Sequence, residues 1–192
     1  MNLKEEIQNY IPFNEQEEAD KKLMLYYLNT FDDCLTRENK IAHFTSSGFI
    51  VNKTRDKVLF IYHNIYNSWA WTGGHADGEE DLLQVAIREA KEETGIEEVN
   101  PVTEKLFALD ILPVSSHIKK GKFVSSHVHL NATYLLEADD DKIVRPKLDE
   151  NKAVNWLPID HLEEYVSEKH MLSVYDKVIE KLKKLPNCEI HF

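Results

Sequence analysis

The sequence is poor in cysteine. Its 192 residues include only two, Cys34 and Cys188, which lie far apart and outside any metal-ligand spacing. This argues against a disulfide framework and against a zinc ribbon, and it is typical of a protein from a reducing compartment. We therefore expect both cysteines to be packing residues.

Long hydrophobic segments are also missing. The longest apolar runs, such as Val58 to Tyr62, are far shorter than the ~20 residues that a membrane-spanning helix needs. The N-terminal stretch MNLKEEIQNY is charged from its fourth residue and has no apolar core of a signal peptide. We therefore expect a cytoplasmic protein that is not a membrane partner.

Positive charge is in deficit. Lys and Arg total 23 against 34 Asp and Glu, which gives a formal net charge of −11. Attraction to a nucleic acid polymer or to an anionic membrane requires a positive surface, so both partners are disfavoured. The acidity instead suits a protein that recruits cations.

The length and the 42% hydrophobic content fit one domain with an appended helical piece. Within residues 1–40, apolar residues recur at helical spacing in two stretches separated by Pro12. We interpret residues 1–40 as a helical extension that packs on the main domain or offers a surface for a homodimer, and residues 41–192 as the main domain. The first stripe comprises Leu3, Ile7, Tyr10 and Ile11, and the second comprises Ala19, Leu23, Tyr26, Tyr27 and Phe31.

The pattern changes to that of β-strands from residue 43 onward. Apolar and β-branched residues predict strands at residues 44–51, 58–62, 102–109, 128–136 and 154–157. Near the C-terminus, residues 171–185 predict an amphipathic helix with lysines on its outer face. The order of these elements predicts an α/β (α+β) fold, in which a mixed sheet has helices on its faces.

The most informative stretch runs from Gly74 to Ile96, with the sequence GHADGEEDLLQVAIREAKEETGI. Glu89, Glu92 and Glu93 occupy positions i, i+3 and i+4 of a helix, which places their carboxylates on one flank. Like charges at this spacing repel each other, and a divalent cation removes the conflict. Carboxylate and carbonyl oxygens are ligands for Mg²⁺ or Mn²⁺, and Mg²⁺ also binds substrate phosphates. The stretch therefore predicts a metal site for phosphate chemistry.

Neighbouring residues have supporting roles. The pair Gly73-Gly74 allows close approaches that a side chain would block, so that a backbone carbonyl can be turned toward a ligand. Arg88 is expected to pair with Glu80 and to fix the preceding loop against the helix. Gly95 is expected to end the helix in a left-handed conformation.

These residues together resemble the Nudix box in full. The chain departs from the common form only at Thr72, where many members have proline, and at Asp77, where the acid is often glutamate. The resemblance extends over about residues 43–185 and implies a Nudix-like α/β/α sandwich. The matching positions are Gly74, Glu80, Arg88, Glu89, the aliphatic Ala90, Glu92, Glu93, Gly95 and Ile96.

The resemblance implies a Mg²⁺-dependent, or Mn²⁺-dependent, hydrolase that cleaves the diphosphate linkage of a nucleoside diphosphate derivative by attack of water at phosphorus. Its metal ligands would be Glu89 and Glu93, then Glu92 and the Gly74 carbonyl, with Glu92 and Glu93 also candidates for catalysis. Members of the family often use a further acid before a strand that carries a tryptophan. Here Glu150 is the candidate for a further ligand or general base, and a solvated loop acid is the equally weighted alternative.

Two other functions are weighed against this one. A non-catalytic Nudix domain that senses nucleotides as a regulatory module would usually have lost box glutamates, which this chain keeps. An isomerase of prenyl diphosphates would typically carry a cysteine near the glycine loop, and neither Cys34 nor Cys188 lies there. The substrate stays open among sugar nucleotides, dinucleoside polyphosphates, nucleoside triphosphates and coenzyme A derivatives. Pro113 lies close to, but not at, the proline position that marks ADP-ribose hydrolases.

Residues outside the box are expected to select the substrate. Of Trp69 and Trp71, one is predicted to stack on a nucleobase and the other to fill the core. His75, His127 and His129 are candidates for contacts with phosphate or sugar. A metal site at His127 and His129 is disfavoured because no third nitrogen or sulfur ligand lies at recognisable spacing. The loop at 115–122 contains three lysines, and it either covers an anionic substrate or is an ordinary surface loop.

Overall fold

A computed structural model describes residues 2–119 and 121–185. Cys188 and Lys120, a member of the 115–122 loop, lie outside the described residues. In the part of the chain described, no helix is both long and apolar enough to cross a membrane. The helices are α1 (Leu3–Asn9), α2 (Glu15–Thr30), α3 (Leu82–Thr94) and α4 (Lys169–Lys183), with a short 3-10 helix at Ile159–Glu164. The strands are β1 (Ala42–Val51), β2 (Lys57–His63), β3 (Ser68–Ala70), β4 (Thr72–His75), β5 (Asn100–Pro101), β6 (Ala108–Val114), β7 (His117–Lys119), β8 (Lys122–Val124), β9 (His127–Glu137) and β10 (Asn151–Pro158).

Eight of these strands form one mixed sheet. Its order is β10-β2-β1-β9-β5, with β3 beside β2, β4 beside β1 and β6 beside β9. Strands β1 and β9 run parallel, in register from Ala42 with Val128 to Val51 with Glu137, and the other pairs are antiparallel. Strands β7 and β8 form a separate hairpin, which begins in the predicted 115–122 loop and ends beyond it at Val124. The mixed sheet predicted from the sequence is confirmed.

Side chains of β1 alternate between two hydrophobic cores. Phe44 and Ile50 belong to the core that also contains residues of α1, α2 and α3. Phe49 and Val51 belong to the core that contains the apolar face of α4. Because successive side chains of a strand point to opposite faces, helices cover both faces of the sheet. This confirms the predicted α/β/α sandwich.

The two predicted N-terminal helices are present. Leu3, Ile7 and Tyr10 of the first predicted stripe are buried, as predicted, but the inward face of the second helix differs from its predicted stripe. Ile11 is 86% exposed, and Leu23 and Tyr26 of the second stripe are also exposed. The buried side chains of α2 are instead Met24 and Glu17. Apolar periodicity missed this face because a buried acid lies on it. The assignment of residues 1–40 as a separate extension, and the dimer surface, stay predictions.

Glu17 connects α2 to α4. Its carboxylate is fully buried, accepts hydrogen bonds from Tyr10 Oη at 2.6 Å and Phe13 N–H at 2.8 Å, and lies 3.2 Å from Lys177 Nζ and 3.3 Å from Lys181 Nζ. Burial raises the pKa of Glu17, but these hydrogen bonds and positive charges outweigh it and lower the pKa below its usual value. The prediction that the lysines of the C-terminal helix lie on its outer face is therefore wrong for Lys177 and Lys181, because buried carboxylates draw them inward.

The strand predicted at residues 102–109 is also wrong in position, because β6 begins only at Ala108. Hydrogen bonds from Val102 N–H to the Leu135 carbonyl and from Phe107 N–H to the Thr133 carbonyl attach both ends of the preceding segment to β9. Between them the chain leaves the sheet, since residues 104 and 105 are charged and exposed. Because both ends of this segment are apolar, its sequence pattern resembles that of a strand.

Candidate active site

Helix α3 presents the box glutamates beside strand β4. The helix begins after Asp81, whose side chain accepts a hydrogen bond from Gln84 N–H, and it ends at Gly95 with φ 67°, in the predicted left-handed conformation. Val85 and Ala86 lie among its buried residues. Packing of this apolar face against the sheet fixes which flank of the helix lies along β4.

Gly73 and Gly74 allow neighbouring atoms to lie close to the backbone of β4. A left-handed conformation is not the reason for glycine at these positions, since neither residue has a positive φ. A Cβ atom added to Gly74 would lie 2.6 Å from Glu89 Oε1, and one added to Gly73 would lie 2.6 Å from the Ser46 carbonyl oxygen. The Gly73 N–H donates a hydrogen bond to Glu93 Oε2 at 2.9 Å. The backbone of β4 therefore touches two of the three glutamates directly.

The electrostatics of these glutamates are unusual for carboxylates. Glu93 is only 4% exposed, and burial raises its pKa to about 8, although the hydrogen bond from Gly73 opposes the shift. Burial, followed by the charge of Glu92, raises the pKa of Glu89. A bound cation would stabilise the ionised form of both groups, so their surroundings fit a metal site.

Lys147 brings Glu150 to the same flank. Its Nζ atom lies 3.2 Å from Glu92 Oε2 and 3.0 Å from Glu150 Oε2. The charge of Glu150 contributes to the raised pKa values of both Glu89 and Glu93, although burial is the larger cause. The loop before β10 thus places Glu150 among the box carboxylates, where the family resemblance led us to look for a further acid.

The predicted pairing of Arg88 with Glu80 is wrong. Arg88 Nη1 donates to Glu79 Oε1 at 2.7 Å, and Nη2 lies 3.8 Å from Glu89 Oε1. Asp77, with φ 47°, begins a turn that brings Glu79 rather than Glu80 to the helix. The sequence could not reveal this choice, because it depends on the loop conformation. Arg88 still ties the loop to the helix, so its bracing role is kept with a different partner.

A second brace was missed by sequence reasoning. Arg37 donates to both carboxylate oxygens of Asp77, at 2.8 and 2.5 Å. Arg37 precedes β1 and lies outside the box, so no motif spacing pointed to it. The ion pair of Arg37 and Asp77 holds the start of the loop between β4 and α3 against the segment that follows α2.

The donor set fits a hard divalent cation. Glu89, Glu92 and Glu93 supply carboxylates from α3, and the Gly74 backbone lies against Glu89, although among the described residues one oxygen from each of the three does not lie within 4.8 Å of the others. Mg²⁺ and Mn²⁺ prefer oxygen ligands. The raised pKa values of Glu89 and Glu93 mark a site whose ionised carboxylates require compensating positive charge.

The two tryptophans pack against the same hydrophobic core but differ in exposure. Trp71 is 8% exposed and packs edge-on against Tyr175, with ring centres 5.1 Å apart, so it belongs to the core. Trp69 is half-buried and packs edge-on against Tyr62 at 5.5 Å. Of the two, Trp69 is the one with surface available to a ligand.

The three candidate histidines converge on a fourth that the sequence analysis did not select. The ring centre of His43 lies 5.1 Å from His75, 5.0 Å from His127 and 5.2 Å from His129. Strand register creates this cluster: His43 pairs with His129 across β1 and β9, and Thr45 pairs with His75 across β1 and β4. Because these strands are distant in sequence, no spacing rule could find the cluster.

Comparisons with known proteins cover most of the chain. The NUDIX domain family model matches residues 42–181. No match was found among curated protein sequences. A C. elegans Ap4A hydrolase in a binary complex has a TM-score of 0.54 and 22% identity, over 76% of this chain and 99% of that chain. RenU, a Nudix hydrolase from M. smegmatis, has a TM-score of 0.54 and 16% identity, over 75% and 88% of the two chains.

A third similar structure is the NUDIX domain of Shewanella oneidensis NrtR complexed with ADP ribose. Its TM-score is 0.53 at 16% identity, over 82% of this chain and 97% of that chain. At these identities the likeness to solved structures shows the fold, whereas the matched family model extends over the box and both of its flanks.

Proposed function

This chain belongs to the NUDIX family of pyrophosphohydrolases, and we propose that it hydrolyses the diphosphate linkage of a nucleoside diphosphate derivative with the help of Mg²⁺ or Mn²⁺. The observation that carries the proposal is the contact between strand β4 and the box glutamates. Glu93 accepts a hydrogen bond from Gly73, and Glu89 lies against Gly74. This arrangement holds two carboxylates at one place although burial opposes their ionisation.

Each residue of the site has a role in this proposal. Glu89, Glu92 and Glu93 would hold the cation together with the Gly74 carbonyl. The cation neutralises phosphate charge and lowers the pKa of a bound water when it is present. Arg88 keeps the loop in place through Glu79.

Glu150 receives the proton in this proposal. As a water oxygen forms a bond to phosphorus, the bond to the bridging anhydride oxygen breaks and the water proton passes to the Glu150 carboxylate. Support comes from its place beside Glu92 through Lys147. Glu150 is also partly exposed, so that it can return the proton to solvent.

Trp69 is proposed to contact the base of the nucleotide. It lies on β3, shortly before the glycines of β4, and its ring is half-buried. A stacked base gains about 1 to 3 kcal/mol from an aromatic ring. Trp71 is left out of this role because it packs against Tyr175 in the core.

The test is hydrolysis of a panel containing ADP-ribose, Ap4A, ATP, a sugar nucleotide and coenzyme A, with Mg²⁺ and with excess chelator. We expect turnover of at least one compound with Mg²⁺, none with the chelator, and transfer of ¹⁸O from labelled water into one phosphate product. Glu93→Gln should reduce the turnover by about two orders of magnitude or more, whereas Glu97→Gln, at an exposed acid beyond the helix, should preserve it. Tight binding of a panel member without turnover would instead indicate the sensing module.

A further inference from the structure

The histidine cluster lies on the sheet face opposite to helix α3. Gly74 pairs with Ser46, whose hydroxyl donates to the Leu82 carbonyl at the start of α3. His75 is the next residue of β4 and pairs with Thr45, so its side chain points to the other face. The histidines therefore form a group separate from the box carboxylates. In this group, His43, His75 and His129 each offer a ring nitrogen within 4.8 Å of the others.

His43 has a ring nitrogen that is available to bind a metal ion. The residue is only 5% exposed, and its Nδ1 atom lies 2.9 Å from the Asn39 carbonyl oxygen. Because a carbonyl only accepts, Nδ1 carries the proton and Nε2 carries the lone pair. Nε2 is buried and has no hydrogen-bond partner among the residues described. A buried acceptor without a partner is costly, and a metal ion is a partner for a lone pair.

His127 shows the same preparation beside His129. Its Nδ1 atom lies 2.8 Å from the Ser125 carbonyl oxygen, which assigns the proton to Nδ1 and the lone pair to Nε2. That Nε2 atom lies 3.3 Å from His129 Nε2. Two nitrogens bound to one tetrahedral Zn²⁺ at about 2.05 Å lie about 3.3 Å apart, so this spacing is compatible with a shared ion.

The ring positions agree with the same geometry. The ring centres are separated by 5.1 Å for His43 and His75, 5.2 Å for His43 and His129, and 5.0 Å for His75 and His129. Three imidazoles around a tetrahedral ion, each bound through one nitrogen, place their ring centres about 5 Å apart. All three sides of the triangle therefore have the length that a common ion would give.

We propose that His43, His75 and His129 bind one Zn²⁺ ion, with His127 adjacent as a fourth imidazole. Nitrogen ligands in tetrahedral arrangement favour zinc over Mg²⁺, which requires oxygen ligands in an octahedron. Burial also holds the pKa of His43 below its usual value, and the neutral form is the one that binds metal. Arg37 and Asp77 lie nearby and form an ion pair with each other, and their charges have opposite effects on the pKa of His43.

The first test uses the chelator-stripped wild-type chain. The stripped chain is loaded with ZnCl₂ and dialysed in excess Mg²⁺, after which we expect one Zn²⁺ per chain by elemental analysis. Loading with cobalt instead of zinc should give the intense visible bands of tetrahedral Co²⁺. Absence of retained zinc, with no such cobalt bands, would overturn the proposal whatever the variants do. Binding of inorganic phosphate at low pH without zinc binding would likewise overturn it, in favour of an anion site of protonated histidines.

The second test determines which residues bind the ion. His75→Gln and His129→Gln, both at partly buried positions, should each weaken zinc binding by about 10-fold or more while circular dichroism stays native. The matched control is His161→Gln, because His161 forms an exposed group with Glu163 and Glu164. Glu93→Gln should retain zinc, since the box lies on the other face. Loss of zinc in His161→Gln or Glu93→Gln, with retention in His75→Gln, would place the ion elsewhere and refute the assignment.

Discussion

Glu93 accepts a hydrogen bond from the backbone N–H of Gly73 at 2.9 Å, although its carboxyl group is almost completely buried. The donor is part of the main chain of β4 and cannot turn away as a side chain can. Strand β4 therefore fixes one oxygen of Glu93, and burial raises the pKa of the group to about 8. Because ionisation of the buried Glu93 is unfavourable, a bound cation would stabilise its ionised form.

Replacement of Glu93 by glutamine should reduce kcat by about two orders of magnitude or more, because the amide keeps the shape but loses the charge. The substrate is whichever member of the nucleotide panel the wild-type enzyme cleaves. Thermal unfolding should show that the variant stays folded. Turnover within a few-fold of the wild type would remove Glu93 from the catalytic group.

The stability of the metal-free protein should fall as pH rises from about 5 to about 8. The pKa of Glu93 is about 8 in the fold against an ordinary 4.5, so the folded state binds the proton that the unfolded state releases, and rising pH favours unfolding. Urea denaturation in chelator at several pH values measures this. Glu93→Gln should flatten the slope, and Mg²⁺ should do the same in the wild type. An equal slope in the variant would contradict the assignment.

Alanine at the two glycines should have different consequences. In Gly74→Ala the new Cβ meets the Glu89 carboxylate, which can move aside, so Mg²⁺ affinity and activity should fall while the melting temperature changes little. In Gly73→Ala the Cβ meets the backbone carbonyl of Ser46, which cannot move freely, so the melting temperature should fall. Calorimetry and Mg²⁺ titration of activity distinguish the pair. Equal effects on both quantities would show that contact with Glu89 is not the reason for glycine at 74.

Removal of the Glu17 carboxylate should destabilise the fold strongly. Glu17→Ala removes the buried carboxylate that pairs with Lys181 and Lys177, although Lys177 keeps its pair with Asp110 at 2.7 Å. Breaking a buried pair of this kind costs about 3 to 5 kcal/mol. Glu18→Ala removes an exposed pair with Lys22 and should change the free energy of unfolding little. Urea denaturation gives both values. A small cost at Glu17 would mean that the N-terminal helices contribute little to the stability of the fold.

Replacement of the two tryptophans should affect different properties, namely nucleotide binding for Trp69 and stability of the fold for Trp71. Trp69→Ala should raise KM for the nucleotide, because about 1 to 3 kcal/mol of stacking is lost. Trp71→Ala should lower the free energy of unfolding by about 3 to 5 kcal/mol, because it leaves a cavity against Tyr175. Steady-state kinetics and denaturation of both variants measure the difference. An unchanged KM in Trp69→Ala would exclude it from the base site.

Features that depend on one continuous segment were predicted well. The left-handed end of α3 at Gly95 and the strand at residues 44–51, which is part of β1, followed from local sequence. Features that depend on a loop or on an unseen polar partner were not. The sequence pointed to Glu80 where the loop delivers Glu79, and to an apolar face of α2 where Glu17 turns inward.

The sequence by itself determined the row of Glu89, Glu92 and Glu93, because helical periodicity places residues three and four apart on one flank wherever the helix lies. Only the tertiary structure decided what that row touches and what lies behind it. Strand pairing brought Gly73 to Glu93 and gathered His43 with His75 and His129 from three separate strands. The reason is physical: register between distant segments is set by packing of the whole sheet, which no local spacing records.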